Sequence, residues 1–178
     1  MKRTLEILET LVALDTRNPP RAIDEAVFAP IREWLVGFAF RVTDHGDGCL
    51  SLLAARGETR RLLNVHLDTV PPADGYTAEP HRLRVTDDRA IGLGACDIKG
   101  AAAAMIAAAR QTDGAVALLF TTDEEAGSST CVRAFCTEME PFDAVIVAEP
   151  TRCLATIEHR GIQTATAVFH GTGGHASS

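Results

Sequence analysis

Apolar segments that end abruptly in a histidine or a carboxylate limit what this chain can fold into. The clearest is residues 62–68, Leu-Leu-Asn-Val-His-Leu-Asp, which predicts a buried strand ending at His66 and Asp68. Because alternate residues of a strand point to the same face, these two side chains should project together. Pro71 and Pro72 then predict a loop. A carboxylate two residues after a histidine commonly fixes the imidazole tautomer beside a metal, and a plain ion pair at a strand end is the simpler alternative.

The order of the predicted elements indicates an α/β fold. Apolar residues recur at helical spacing in some segments and form short continuous runs in others. The predicted helices cover residues 4–14, 24–37, 98–110 and 128–138. The predicted strands cover residues 40–43, 50–54, 61–67, 83–85, 90–93, 115–120 and 144–148. The runs 115–120 and 144–148 are typical of strands buried on both faces, so we expect a largely parallel central sheet flanked by helices.

A different pattern begins near the end of the sequence. Residues 162–170 are rich in β-forming residues with partial alternation, and a glycine-rich turn rather than a helix follows them. We therefore expect a domain boundary near residue 160, with residues 1–160 in one domain and residues 161–178 at the start of another.

Charge and composition exclude several classes of partner and compartment. The chain has 17 lysines and arginines against 24 acidic residues, a net charge of −7, which argues against nucleic acid and anionic membranes as partners. Its five cysteines form no CxxC pair, and Glu6, Glu9 and Asp15 interrupt any apolar leader. The longest apolar run, residues 101–109, is too short to span a bilayer. These features predict a cytoplasmic protein with free thiols.

Five titratable side chains follow predicted strands or open a predicted helix: His66, Asp97, Glu124, Glu125 and Glu149. In open α/β sheets such positions collect in a crevice at the carboxyl ends of the strands. The carboxylates would repel one another there unless a cation neutralised them. One histidine with several carboxylates suits Zn²⁺, with Co²⁺ or Mn²⁺ as alternatives. So many acids for one histidine also suggest two ions that share a carboxylate.

Each of these residues also has a simpler explanation. Asp97 could cap the helix that follows it, and Glu124 and Glu125 could form a solvated pair in a loop. Glu149, which precedes a proline, could be an exposed turn residue. Only their joint placement at strand ends favours a metal site. A dinucleotide site is excluded because Asp97 stands where the third glycine of that motif should be.

Four blocks resemble, in order, those of the two-zinc amidohydrolases, the family that includes acetylornithine deacetylase, succinyl-diaminopimelate desuccinylase, aminoacylases and glutamate carboxypeptidases. The blocks are residues 66–71, 94–100, 123–125 and 148–151, and residues 174–178 resemble the histidine motif of the family's lid, or dimerisation, domain. Within the family, Asn18-Pro19-Pro20 and the block at 148–151 look most like the acetylornithine and acetylcitrulline deacetylases. The match covers nearly all of this chain but only about the first half of a family member.

The resemblance implies a metal-binding role for four residues. His66 and Glu149 would bind one zinc ion, Glu125 would bind a second, and Asp97 would bridge the two. It also implies a cis peptide bond after Asp97. Residues 1–160 would then be the N-terminal part of a metal-binding catalytic domain, and residues 161–178 the truncated beginning of the lid.

Three further residues would serve catalysis by the same resemblance. Asp68 would orient His66, and Glu124 would be the general base. His175 would reach into the active site of the partner subunit of a homodimer and stabilise the oxyanion. A further histidine ligand near the family's C-terminus is not contained in this chain. We therefore expect the 178-residue chain alone to bind zinc poorly at Glu125 and to show little turnover.

The resemblance implies metal-dependent hydrolysis of the amide bond of an N-acetylated amino acid. With acetylornithine or acetylcitrulline as the small-molecule substrate, the products would be acetate and a free amino acid, in arginine biosynthesis. The alternative hypotheses are a succinyl-diaminopimelate desuccinylase or carboxypeptidase of the same family, a two-metal phosphoesterase, and a non-catalytic relative or a fragment without activity.

Overall fold

The computed structural model describes residues 2–20, 23–127, 129–138, 142–158, 161, 165–168 and 170–171. In chain order the strands are β1 (Ala39–Asp44), β2 (Leu50–Arg56), β3 (Arg61–His66), β4 (Arg84–Val85), β5 (Ala90–Ile91), β6 (Val116–Thr121) and β7 (Ala144–Val147). The α-helices are α1 (Lys2–Ala13), α2 (Ala29–Trp34), α3 (Gly100–Arg110) and α4 (Thr130–Glu138). A 3₁₀ turn (Glu25–Phe28) precedes α2, and a π-helical turn (Ala95–Lys99) precedes α3.

Five of the strands form one mixed sheet in the order β1-β2-β6-β3-β7, and β4 and β5 form the predicted hairpin. β3 is parallel to both β6 and β7, whereas β2 is antiparallel to β1 and β6. Four strands therefore run in one direction and β2 runs in the other. The predicted α/β fold with a largely parallel sheet is confirmed.

Helices pack on both faces of the sheet. The larger core lies between the sheet and α1, α2 and α3, and it contains Leu11, Ile31, Ile106, Leu118 and Phe120. The alanines of α3 let that helix approach closely, since Ala102 and Ala103 have no exposed surface. On the other face, Phe135 of α4 packs against the alternate residues of β3 and β6.

Two predicted elements differ from the observed ones. The single helix expected over residues 24–37 is split, because Pro30 lacks an amide donor and its ring opposes a continuous helix across this point. β7, expected to be buried, is an exposed edge strand, with Val145, Ile146 and Val147 each at least half exposed. Its only strand partner within the described residues is β3, and the described helices cover other strands.

The second-domain prediction concerns residues that the structure describes only in part. Residues 165–168 form no strand, and residues 162–164 and 169 lie outside the described residues. The domain boundary near residue 160 therefore stays a prediction. Among the described helices, none combines the length and the apolar character needed to cross a bilayer.

Candidate metal centre

His66 is the last residue of β3, and its side chain is only 2% exposed. Its Nδ1 lies 3.0 Å from the backbone oxygen of Asp68 and 3.4 Å from Asp68 Oδ1. A carbonyl oxygen can only accept, so Nδ1 donates and the neutral ring keeps its lone pair on Nε2. Nε2 faces Asp97 Oδ1 at 3.3 Å and Glu149 Oε1 at 3.9 Å. The strand end thus aims one ring nitrogen at two carboxylates.

Asp68 has no exposed surface and connects two of the predicted ligands. One of its oxygens, Oδ1, faces the His66 ring. The other, Oδ2, accepts a hydrogen bond from the backbone amide of Glu125 at 2.9 Å. Strand β3 stops here because Thr16, in the loop after α1, binds the next residues: its hydroxyl donates to Leu67 O and its carbonyl accepts from the amide of residue 69.

Asp97 lies in the π-helical turn before α3, where its backbone leaves helical geometry with φ −120° and ψ 91°. The peptide bond between Asp97 and Ile98 is cis, as the resemblance implies. The turn begins at Gly94, whose φ is 71°. A Cβ at Gly94 would lie 2.4 Å from Thr69 Cγ2, so glycine lets this turn pack against the segment that follows His66. Close backbone packing therefore brings Asp97 beside the imidazole.

Glu125 lies in the loop after β6 and completes a cluster with His66 and Asp97. One ligand atom from each of the three side chains lies within 4.8 Å of the other two. Two hydrogen bonds to Asp123 hold this loop. The carbonyl of Asp123 accepts from the amide of Ser129, and the side chain of Asp123 accepts from Cys131 N at 3.0 Å. The structure brings these three predicted ligands together.

Glu149 and Glu124 flank the cluster on its open side. Glu149 follows β7, its side chain is 41% exposed, and its carboxylate approaches His66 as described above. Glu124 is exposed, and its negative charge contributes to raising the pKa of both Glu125 and Glu149. The predicted residue His175 lies outside the described residues.

The electrostatics of the cluster indicate crowded negative charge. Burial, and then the charge of Asp97, raise the pKa of Glu125. Burial also raises the pKa of Glu149, although the charge of His66 opposes this. For His66, burial alone would lower the pKa, but the hydrogen bond and charge of Asp68 and the charge of Glu149 outweigh it and raise the pKa to about 9. A bound cation would relieve this repulsion.

The donor set fits a divalent cation. Within the described residues His66 Nε2 is buried and makes no hydrogen bond, although it points into the cluster. Two donors on one tetrahedral zinc ion lie about 3.3 Å apart. The observed 3.3 Å between His66 Nε2 and Asp97 Oδ1 matches that separation. One imidazole among carboxylates is also a ligand set that zinc accepts.

Sequence reasoning missed the role of Asn18. Its side chain is buried and its Nδ2 lies 3.3 Å from Asp68 Oδ2, whereas Asn18-Pro19-Pro20 entered the sequence analysis only as a motif that resembles the deacetylases. A polar residue at the start of a tight proline turn was the available signal, but nothing in the sequence indicated its partner 50 residues away.

Comparisons with known proteins identify a family and a shared fold. The sequence profile of Peptidase family M20/M25/M40 matches residues 62–165. The fold resembles human carnosine dipeptidase 1, with a TM-score of 0.71 and 23% identity over 83% of this chain and 38% of that one. It also resembles the M20 family metallo-carboxypeptidase Sso-CP2 of Sulfolobus solfataricus, with a TM-score of 0.69 and 20% identity over 83% and 37% of the two chains.

Curated relatives match almost the whole chain. An N-acetyl-L-citrulline deacetylase of Xanthomonas campestris pv. campestris is 55% identical over 98% of this chain and 48% of its own length. An acetylornithine deacetylase of Vibrio cholerae serotype O1 is 31% identical over 98% of this chain and 50% of its own length. A succinyl-diaminopimelate desuccinylase of Wolinella succinogenes is 30% identical over 97% of this chain and 50% of its own length. The chain spans about half the length of these relatives.

Proposed function

The chain belongs to Peptidase family M20/M25/M40, and from that premise we propose that it serves the hydrolysis of an N-acetylated amino acid, acetylcitrulline or acetylornithine, to acetate and the free amino acid. The observation that carries the proposal is the convergence of His66, Asp97 and Glu125 from three separate elements. The 55% identity to an N-acetyl-L-citrulline deacetylase supports acetylcitrulline as the first substrate to test, and arginine biosynthesis in the cytoplasm as its setting.

In this proposal the cluster holds two divalent ions, zinc in the first instance. His66 and Glu149 would bind one ion, Glu125 the other, and Asp97 both. When bound, the ions would lower the pKa of a water molecule and polarise the amide carbonyl. The backbone oxygen of Asp68 supports this arrangement. It accepts a hydrogen bond from His66 Nδ1, which leaves Nε2 of the neutral ring free to bind an ion.

The remaining steps are proton transfers at Glu124. Its carboxylate would accept a proton from the attacking water, whose oxygen forms a bond to the amide carbon. The tetrahedral adduct would collapse with cleavage of the C–N bond, and Glu124 would return the proton to the departing nitrogen. We expect His175, supplied by the partner subunit of a homodimer, to donate to the oxyanion. The exposure of Glu124 to solvent supports its role in proton transfer.

The substrate assay is made on the protein as its organism produces it. We expect acetate release from acetylcitrulline and acetylornithine, its loss with a metal chelator, and its recovery with Zn²⁺. Succinyl-diaminopimelate, a dipeptide and a phosphate ester complete the panel. Faster cleavage of any of these three compounds than of the acetylated amino acids would assign a different activity to this protein. No cleavage at all, with zinc bound, would indicate a non-catalytic relative.

A further inference from the structure

Asn18 is a buried polar residue in the loop after α1, far from Asp68 in sequence and adjacent to it in space. Only 1% of its surface is exposed. Its Nδ2 donates to Asp68 Oδ2 at 3.3 Å and to the backbone oxygen of Thr122 at 3.1 Å. The backbone amide of Asn18 donates to Thr69 O at 2.8 Å. The backbone of Asn18 is therefore fixed, and its side chain spans from the end of β3 to the end of β6.

The orientation of the Asn18 amide follows from its neighbours. Asp68 Oδ2 and Thr122 O are both acceptors, so only the NH₂ end can face them. As a consequence Asn18 Oδ1 is buried and has no hydrogen-bond partner within the described residues. The hydrogen bonds of the Asn18 side chain therefore come from its donor end, which faces Asp68 and Thr122.

The carboxylate that Asn18 contacts lies beside two predicted ligands, since Asp68 Oδ1 is 3.4 Å from Nδ1 of His66, whose hydrogen bond goes to the Asp68 backbone oxygen. Asp68 Oδ1 faces the His66 ring, and Oδ2 accepts from both Asn18 and the amide of Glu125. Rotation of this carboxylate would move both oxygens together. The Asn18 donor opposes that rotation because it holds Oδ2, the oxygen that also accepts from the Glu125 amide.

We propose that Asn18 is a positioning residue of the metal centre, which locks the Asp68 carboxylate and through it both the His66 ring and the Glu125 loop. This inference rests on the proposed function for the identity of the ligands. Its competitor is a purely structural role, in which Asn18 only joins the loop to Thr122.

A double-mutant cycle separates the two roles. Zn²⁺ affinity of the protein as its organism produces it is measured by competition with a chromophoric chelator for the unaltered protein, Asn18→Ala, Asp68→Ala and the double variant. We expect Asn18→Ala to weaken binding about tenfold, as loss of an outer hydrogen-bond partner does, and to have no further effect in the Asp68→Ala background. Equal losses in both backgrounds would overturn the proposal.

Asn64→Ala is the matched control. Asn64 also donates its side-chain amide to a backbone carbonyl, Leu119 O at 3.1 Å, and it lies two residues before His66 on β3. Among the described residues no hydrogen bond joins its side chain to Asp68, so its variant should bind zinc as the unaltered protein does. Asn18→Asp keeps the size of the side chain but turns an acceptor toward Asp68, so we expect a greater loss than for Asn18→Ala.

A measurement without metal keeps this inference separate from the proposed function. Hydrogen exchange reports the Glu125 amide, which donates to Asp68, and the Cys131 amide, which donates to Asp123 in the same loop region. In Asn18→Ala we expect faster exchange at Glu125 and unchanged exchange at Cys131. Unchanged exchange at Glu125 would reject the positioning role. Absence of zinc binding by the unaltered chain would instead reject the metal centre, and the exchange result would still decide whether Asn18 locks Asp68.

Discussion

The metal centre has a buried side and an open side, and the two are built differently. On the buried side, Asn18, His66 and Asp68 are each at most 3% exposed and are tied together by hydrogen bonds between 3.0 and 3.3 Å. On the open side, the side chains of Asp97 and Glu149 are 52% and 41% exposed. Glu149 approaches the imidazole only to 3.9 Å.

The difference separates two tasks. Interactions between buried groups are screened little by water, so the inner side can fix the position of the imidazole before any ion binds. Exposed carboxylates are well solvated and meet solvent and substrate directly. If the proposed function holds, the buried side would determine where the ions bind and the open side would carry out the chemistry. Each prediction below would break or sharpen that division.

The largest expected effect is on turnover, through Glu124. Glu124→Gln keeps the size of the side chain but removes its ability to accept a proton. We expect acetate release to fall about 10²–10⁴-fold, the usual contribution of a general base. Zinc affinity should stay within about twofold, because Glu124 acts on the open side. The exposed Glu138, at the end of α4, provides the control Glu138→Gln. If zinc affinity fell together with acetate release in Glu124→Gln, the proposed division between the buried side and the open side would be wrong.

The next largest effect is on zinc affinity, through His66. Four ligands together contribute roughly 10–16 kcal/mol in structural zinc sites, so removing one should weaken binding about 10²–10³-fold. We expect that loss in His66→Ala, measured by calorimetry. His45→Ala is the control. Among the described residues, the hydrogen-bond partner of the His45 ring is the Ser51 hydroxyl, outside the cluster. Similar affinities for the two variants would exclude His66 as a ligand.

A smaller effect concerns stability and pH in the metal-free chain. The pKa of His66 is raised from 6.5 to about 9 in the folded chain, so its protonated form stabilises the fold. That contribution is fully present below pH 6.5 and is lost as the pH rises through about 9. We expect the free energy of unfolding to fall by on the order of 3 kcal/mol across this window. Urea denaturation at several pH values measures it.

Asp68→Asn is the companion variant for the pH experiment. It removes the charge that is chiefly responsible for raising the pKa of His66 while keeping a side chain of the same size. The loss of stability between pH 6.5 and 9 should become much smaller. An unaltered pH profile in Asp68→Asn would mean that the open side, through Glu149, controls the charge of the imidazole.

The sequence predicts the strand ends of this site well and its supports poorly. Apolar runs ending in His66, Glu125 and Glu149 follow from local composition, because strand ends of a parallel sheet meet at one edge. The direction of β2 and the exposure of β7 depend on which strands become neighbours, and that is decided by packing across the whole chain. The contact between Asn18 and Asp68 joins residues 50 apart, and no local pattern encodes it.

The smallest expected effect is at Glu149, which flanks the cluster 3.9 Å from His66 Nε2. Glu149→Gln removes a charge but retains a carbonyl oxygen able to bind an ion. Because the amide oxygen of Gln can still bind the ion, we expect zinc affinity to fall less than the about 10²–10³-fold expected for His66→Ala, which loses its ligand atom altogether. Chelator competition at two ionic strengths measures this effect, and it should shrink at the higher one because water and salt screen the open side. A loss as great as that in His66→Ala, insensitive to salt, would show that Glu149 belongs energetically with the buried side.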